Sequence, residues 1–180
     1  MKKNLIKREE VIARMAKAYW QLLSILYPLI LENKDIEIGL KEGMSKFLSW
    51  IPISLNGKKN TDFYSEKAYK QLQLGNKSNL IYEHIIPKEK YIQTPIIQSA
   101  KDGKLKSELE IKELLNKYWY IATITKDEDK ILSQLGFNKK MPDDWDNQNI
   151  FARYDKANIK LYTLEECKNN FKNYLKNLLF

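Results

Sequence analysis

The sequence predicts a mostly helical α+β domain with a small β-sheet, and three observations carry that expectation. Apolar residues recur at helical spacing through residues 7–27, and again from residue 163 onward. Three Ser/Thr-x-x-Glu stretches, Ser107–Glu110, Thr125–Glu128 and Thr163–Glu166, have the form of a capping box, where hydroxyl and carboxylate answer a helix's first free N–H groups. Two short runs, NLIYEHII and YWYIATIT, are rich in β-branched and aromatic residues, as half-buried strands are. At 180 residues the chain suits one domain, with a helical part at 1–60, a mixed core at 61–162 and a last helix at 163–180.

The elements follow in order. In the first helix Val11, Ile12, Met15, Tyr19, Leu22, Leu23 and Leu26 share one face, and Pro28 ends or kinks it. A second helix covers 35–49 with Ile38, Phe47 and Leu48 inward, and WIPISLNGKKNTD reads as turn or loop because of its proline and Asn-Gly. Thr61 is placed to cap a helix over 62–73 that Gly75 terminates. NLIYEHII is the first strand, ended by Pro87. KEKYIQTPIIQSA reads as a helix interrupted at Pro95, KDGK as a turn, and Ser107 opens a helix to about Lys117. YWYIATIT is the second strand, and Thr125 caps a short helix that Gly136 stops. Residues 137–150 lack periodicity and form a long loop. Residues 159–162 hold a third strand, and the last helix buries Leu164, Cys167, Phe171, Leu175 and Leu178.

Composition narrows the classes. No apolar run reaches the roughly 18 residues of a membrane span, so no membrane partner is expected. The opening MKKNLIKREEVIARMAK has no uninterrupted apolar core, unlike a secretory signal. The single cysteine, Cys167, excludes an internal disulfide and a cysteine-based zinc site, which reads as cytoplasmic. A net charge of +8 favours polyanions, DNA before RNA, with a protein partner as a further possibility. That charge is almost all lysine, since arginine occurs only at Arg8, Arg14 and Arg153.

His84 is the sole histidine, the one side chain that titrates near neutrality unperturbed. Glu83 precedes it, Tyr82 lies beside it, and Pro87-Lys88 closes the strand. The functional reading makes it a general base; the bland one makes it a hydrogen-bonded core residue. Alternation in a regular strand sends Glu83 and His84 to opposite faces, so a joint site needs a bulge or a strand end. The string Glu83-His84-Ile85-Ile86-Pro87 resembles the first motif of the HNH, or ββα-metal, nucleases. The resemblance implies that Glu83 binds Mg²⁺ or Mn²⁺ and that His84 activates water against a phosphodiester. It departs from the family downstream: no second histidine exists, and Asn116 lies too far along. More broadly, YSEKA, YEHIIPK, IATITKDED, MPDDW and FARYDKANI, over roughly 64–160, resemble small bacterial proteins of restriction or mobile-element loci.

Other groups add to the set. Asp129 in ITKDED is the acid beside Glu128 that neither cap nor helix dipole explains, and so a second metal-ligand candidate. Glu110-Ile111-Lys112 has the letters of a PD-(D/E)xK nuclease but falls inside a capped helix. In the long loop, Asp143, Asp144, Trp145 and Asp146 precede Arg153 and Tyr154. Arg153 can grip phosphate bidentately and Tyr154 can stack on a base; alternatively Trp145 plugs the core and Arg153 pairs with an aspartate. Lys168, Lys172 and Lys176 form a stripe on the last helix, which with Lys88 gives a phosphate track or simply a solvated face. Two expectations result. One is a metal-dependent endonuclease of bacterial defence or a mobile element, with His84, Glu83 and Arg153 catalytic. The other is a non-catalytic basic binding protein, such as a phage-encoded inhibitor or regulator.

Overall fold

A computed structural model describes residues 6–32, 35–56 and 60–178, and the chain is an α+β fold, mostly helical, with a four-stranded mixed sheet. Along it come α1 (Arg8–Glu32), α2 (Asp35–Asn56), β1 (Phe63–Ser65), α3 (Glu66–Gln73) and β2 (Leu80–His84). One π-helical turn (Glu89–Gln93) leads into α4 (Thr94–Lys101), followed by α5 (Glu108–Tyr118), β3 (Ile121–Thr125) and α6 (Lys126–Gln134). The last described elements are α7 (Ala152–Lys156), β4 (Leu161–Tyr162) and α8 (Leu164–Leu178). The chain divides into two compact units, Met1–Lys58 with Pro87–Trp119, and Lys59–Ile86 with Tyr120–Phe180.

The first unit is helical. Val11, Ile12, Met15, Tyr19 and Leu23 are buried and Leu22 and Leu26 half-buried, as their spacing predicts, and α1 packs on α2, α4 and α5. Burial of each such side chain contributes roughly 1.5–3 kcal/mol. Pro28 lies inside α1 rather than at its end, the bond and clash it costs being offset by the packing of the helix's buried face. Helix α2 likewise runs past Trp50 to Asn56, through Pro52, where the sequence reads as loop. Leu48 is buried and Phe47 half-buried; the Ile38 side chain lies outside the described residues. The capping box of α5 forms as expected, with Ser107 Oγ accepting from Glu110 N–H at 3.3 Å and Glu110 Oε2 from Ser107 N–H at 2.8 Å. Arg8 donates to the Trp119 carbonyl at 2.6 Å, and Trp119 Nε1 to that of Leu48 at 3.2 Å, which ties α1 and α2 to the end of α5.

The second unit holds the sheet, in the order β2-β3-β1-β4, with β1 parallel to β3 and the other pairs antiparallel. The sequence reading misses β1. Phe63, Tyr64 and Ser65 belong to a strand, and the helix expected from Thr61 begins only at Glu66, capped by Ser65 Oγ, which accepts from Ala68 N–H at 3.1 Å. Thr61 instead donates to the Phe63 carbonyl at 2.9 Å and meets Thr123 Oγ1 at 2.8 Å. Gly75 and Gly136 end α3 and α6 as expected, each in the left-handed region (φ 76° and 75°) that a Cβ disfavours. Strand register sorts the side chains into two faces. Phe63, Ile81, Ala122, Ile124 and Leu161 pack with Leu132 of α6 and Tyr154 of α7. On the other face Tyr64 and Tyr162 pack with Tyr69 of α3 and with Cys167 and Phe171 of α8. The sheet is thus the middle of three layers.

Candidate functional site

The residues singled out by sequence separate at the end of β2. This strand is regular: Glu83 lies opposite Ala122 and His84 opposite Ile121. Glu83 therefore projects to the α6/α7 face and His84 to the α3/α8 face, with no bulge to join them. On the α6/α7 face the fully buried Arg153 meets Glu83, its Nη2 lying 2.7 Å from Glu83 Oε1. The same guanidinium donates through Nε to the Ile85 carbonyl and through Nη1 to the Phe137 carbonyl, both at 2.7 Å, and through Nη2 to the His84 carbonyl. Its planar fork closes the end of β2 onto α7 and the loop after α6, using donors that a phosphate grip would need.

Tyr154 carries no exposed surface, so its ring belongs to the core rather than to a base; the Arg153 guanidinium stands 5.1 Å from the ring centre. Burial pushes its phenol pKa well up; Glu83 and Asp129 push the same way, and Arg153 opposes them. Asp129 is thus within electrostatic reach of this cluster. Among the described residues, however, no group of three or more His, Cys, Asp or Glu side chains is placed to hold a metal ion. Of the sequence set, then, Glu83, Arg153 and Tyr154 come together, with Asp129 near, and His84 meets the cluster through its carbonyl.

The lysine candidates divide similarly. Lys88 is half-buried and donates to the Ser45 carbonyl at 3.1 Å and to Ser49 Oγ at 2.8 Å, a tie within the first unit. Lys168 and Lys172 are exposed on α8, and Lys168 pairs loosely with Glu165 at 3.4 Å. The Lys176 side chain lies outside the described residues. In the long loop each aspartate is engaged: Asp143 by Lys140 at 3.0 Å, Asp144 by Lys156 at 2.8 Å, and Asp146 by the N–H groups of Gln148 and Asn149 at 2.8 and 2.9 Å. Hydrogen bonds from Lys156 and from that backbone hold the Asp144 and Asp146 carboxyls below the usual range. Trp145 is half-buried and donates to the Asn149 carbonyl at 2.7 Å.

A second place emerges at the carboxyl ends of β1 and β3, which the sequence reading did not mark. Glu128 fills its capping role: Oε2 accepts from Thr125 N–H at 2.9 Å and Thr125 Oγ1 at 3.0 Å. The same oxygen accepts a bond from Ser65 Oγ at 2.6 Å, joining the cap of α6 to that of α3. Beside this link opens a crevice of about 410 Å³ lined by Glu66, Lys67, Glu128, Ile131, Lys160 and Tyr162, among others. Nothing local flags it, because β1 is only three residues long and its pairing is non-local. No family model, no curated protein and no solved structure matches the chain.

Proposed function

We propose that the protein is a non-catalytic, basic binding protein that contacts nucleic acid through exposed lysines. The observation that carries this reading is the Glu83–Arg153 pair. The carboxylate wanted for a metal and the guanidinium wanted for a phosphate are spent on each other and on three backbone carbonyls, on the sheet face away from His84. The basic groups that remain at the surface of this unit are lysines, including Lys130, Lys168 and Lys172. Lysine on a flexible stem meets phosphate as a point charge, which suits backbone contact without base reading.

The test is a salt titration of duplex DNA and duplex RNA binding, run beside a cleavage assay with Mg²⁺ and Mn²⁺. The reading expects log K to fall with log salt at about −0.9 per phosphate neutralised on DNA, and no cleavage. Binding absent at low salt, or indifferent to salt, removes the nucleic-acid premise. Metal-dependent cleavage that His84→Ala abolishes without loss of fold replaces this reading with the endonuclease one.

A further inference from the structure

We propose that the crevice at the carboxyl ends of β1 and β3 binds a phosphate monoester of mononucleotide size. The argument begins with topology. From the adjacent parallel strands β1 and β3, helix α3 departs to the face shared with α8, and α6 to the opposite face shared with α7. Where neighbouring parallel strands send their helices to opposite faces, a crevice opens outside the strand ends, and open α/β sheets bind ligands there. In this protein the crevice holds about 410 Å³, within the range of small-molecule sites.

Its lining supplies complementary chemistry. Glu66 and Lys67 open α3, where the first N–H groups have no helical acceptor. Ser65 Oγ answers that of Ala68, and no described residue accepts from those of Glu66 and Lys67. These donors and the helix dipole favour an anion. Lys67 of α3 and Lys160, which immediately precedes β4, line the same crevice, both exposed and neither with an ion-pair partner among the described residues. The Glu66 carboxylate, which would oppose an anion, is engaged by Lys70 at 2.7 Å. Glu128 is only 4% exposed, and all three bonds to its carboxylate fall on Oε2. Oε1 receives none, which leaves a rigidly held acceptor for a ligand hydroxyl. Ile131 and Tyr162 give the crevice apolar surface for a ring. A phosphate on the lysine side, a sugar hydroxyl on Glu128 and a flat ring against Ile131 and Tyr162 describe a nucleoside monophosphate. The same monoester occurs at the 5′ end of a nucleic-acid strand.

The site does not rest on the lysine surface proposed above, and its test separates the two. The full chain is titrated with the four nucleoside 5′-monophosphates, the parent nucleosides, inorganic phosphate, and a trinucleotide with or without a 5′-phosphate. The expected result is that at least one monophosphate binds about tenfold or more tightly than its nucleoside, because charge-assisted bonds are lost with the phosphate. The double variant Lys67→Ala/Lys160→Ala should lose about tenfold or more of that affinity with an unchanged melting temperature and retained duplex binding. Glu128→Gln, with its own melting curve as control, should weaken the monophosphate more than inorganic phosphate. A 5′-phosphorylated trinucleotide that outcompetes the mononucleotide assigns the monoester to a strand end. Monophosphates that bind no better than nucleosides, or equally well to the double lysine variant, overturn the proposal.

Discussion

Arg153→Met tests whether the guanidinium is framework or function. The substitution keeps an unbranched apolar stem out to about the position of Nε but removes every donor. Four acceptors lose this donor at once: the carbonyls of His84, Ile85 and Phe137, and the Glu83 carboxylate, whose side chain is 23% exposed. Breaking one partner out of a buried ion pair costs about 3–5 kcal/mol, because the other charge stays behind uncompensated. Against a total stability of about 5–15 kcal/mol, that is roughly a fifth or more of what holds the chain folded. At about 2–4 °C per kcal/mol for a chain of this length, the melting temperature should fall by roughly 6–20 °C. Arg153→Lys should recover little, since a point ammonium cannot reach acceptors spread around a planar fork. Adding Glu83→Leu to Arg153→Met should restore part of the loss by removing the stranded carboxylate, while the carbonyls remain unmet. The assay is thermal and urea unfolding, beside duplex binding at low salt. A variant that melts within about 2 °C of the parent, on the same scale of degrees per kcal/mol, and loses nucleic-acid affinity instead, would refute the reasoning and return Arg153 to the binding surface.

Other outcomes follow from single contacts. Ser65→Ala removes both the cap of α3 and a bond to the buried Glu128, so urea unfolding should show a loss of about 2–4 kcal/mol. A loss below about 0.5 kcal/mol, the lower bound for a cap alone, would mean that the Ser65–Glu128 link does not exist in solution. Burial pushes the Cys167 thiol up from 9.0 to about 11, with help from Glu166 and Glu66, so at pH 8 its thiolate is about a hundredfold scarcer than in the unfolded chain. A disulfide reagent should therefore label it slowly until denaturant is added; rapid labelling of the native protein would contradict its place on the buried face of α8 against Tyr64 and Tyr69. The Glu110 and Glu166 carboxyls lie below their usual 4.5, held first by the backbone N–H groups of Ser107 and Thr163. A depressed folded value means that the unfolded chain binds the proton first, so this stability is complete above 4.5 and is lost as pH falls through the lowered folded values. The double variant Glu110→Gln/Glu166→Gln should lose less melting temperature than the parent between about pH 5.5 and pH 3, and equal slopes would count against the caps.

What the sequence discloses and what it hides differ by the range of the interaction. The three capping boxes were legible because hydroxyl and carboxylate lie three residues apart, and all three form. The opposite facing of Glu83 and His84 was legible too, since pleating alone decides it once the strand is regular. Arg153 stood out as a rare arginine, but its direction depends on acceptors 68 to 70 residues away at Ile85, His84 and Glu83, which no local pattern encodes. Strand β1 escaped notice for a related reason. Three residues carry no periodicity, and Phe63 and Tyr64 become strand only by pairing with Ala122 and Thr123. Missing β1 meant missing everything it organises. Without it there is no parallel pair, no point at which α3 and α6 part to opposite faces, and no crevice between their caps. Lys67 and Lys160 then read as two of many solvated lysines, a reading their sequence neighbours fit equally well. Pairing of β1 with β3 and β4 is what turns them towards a common space, so a chemistry-bearing site here is a property of the sheet order rather than of any motif.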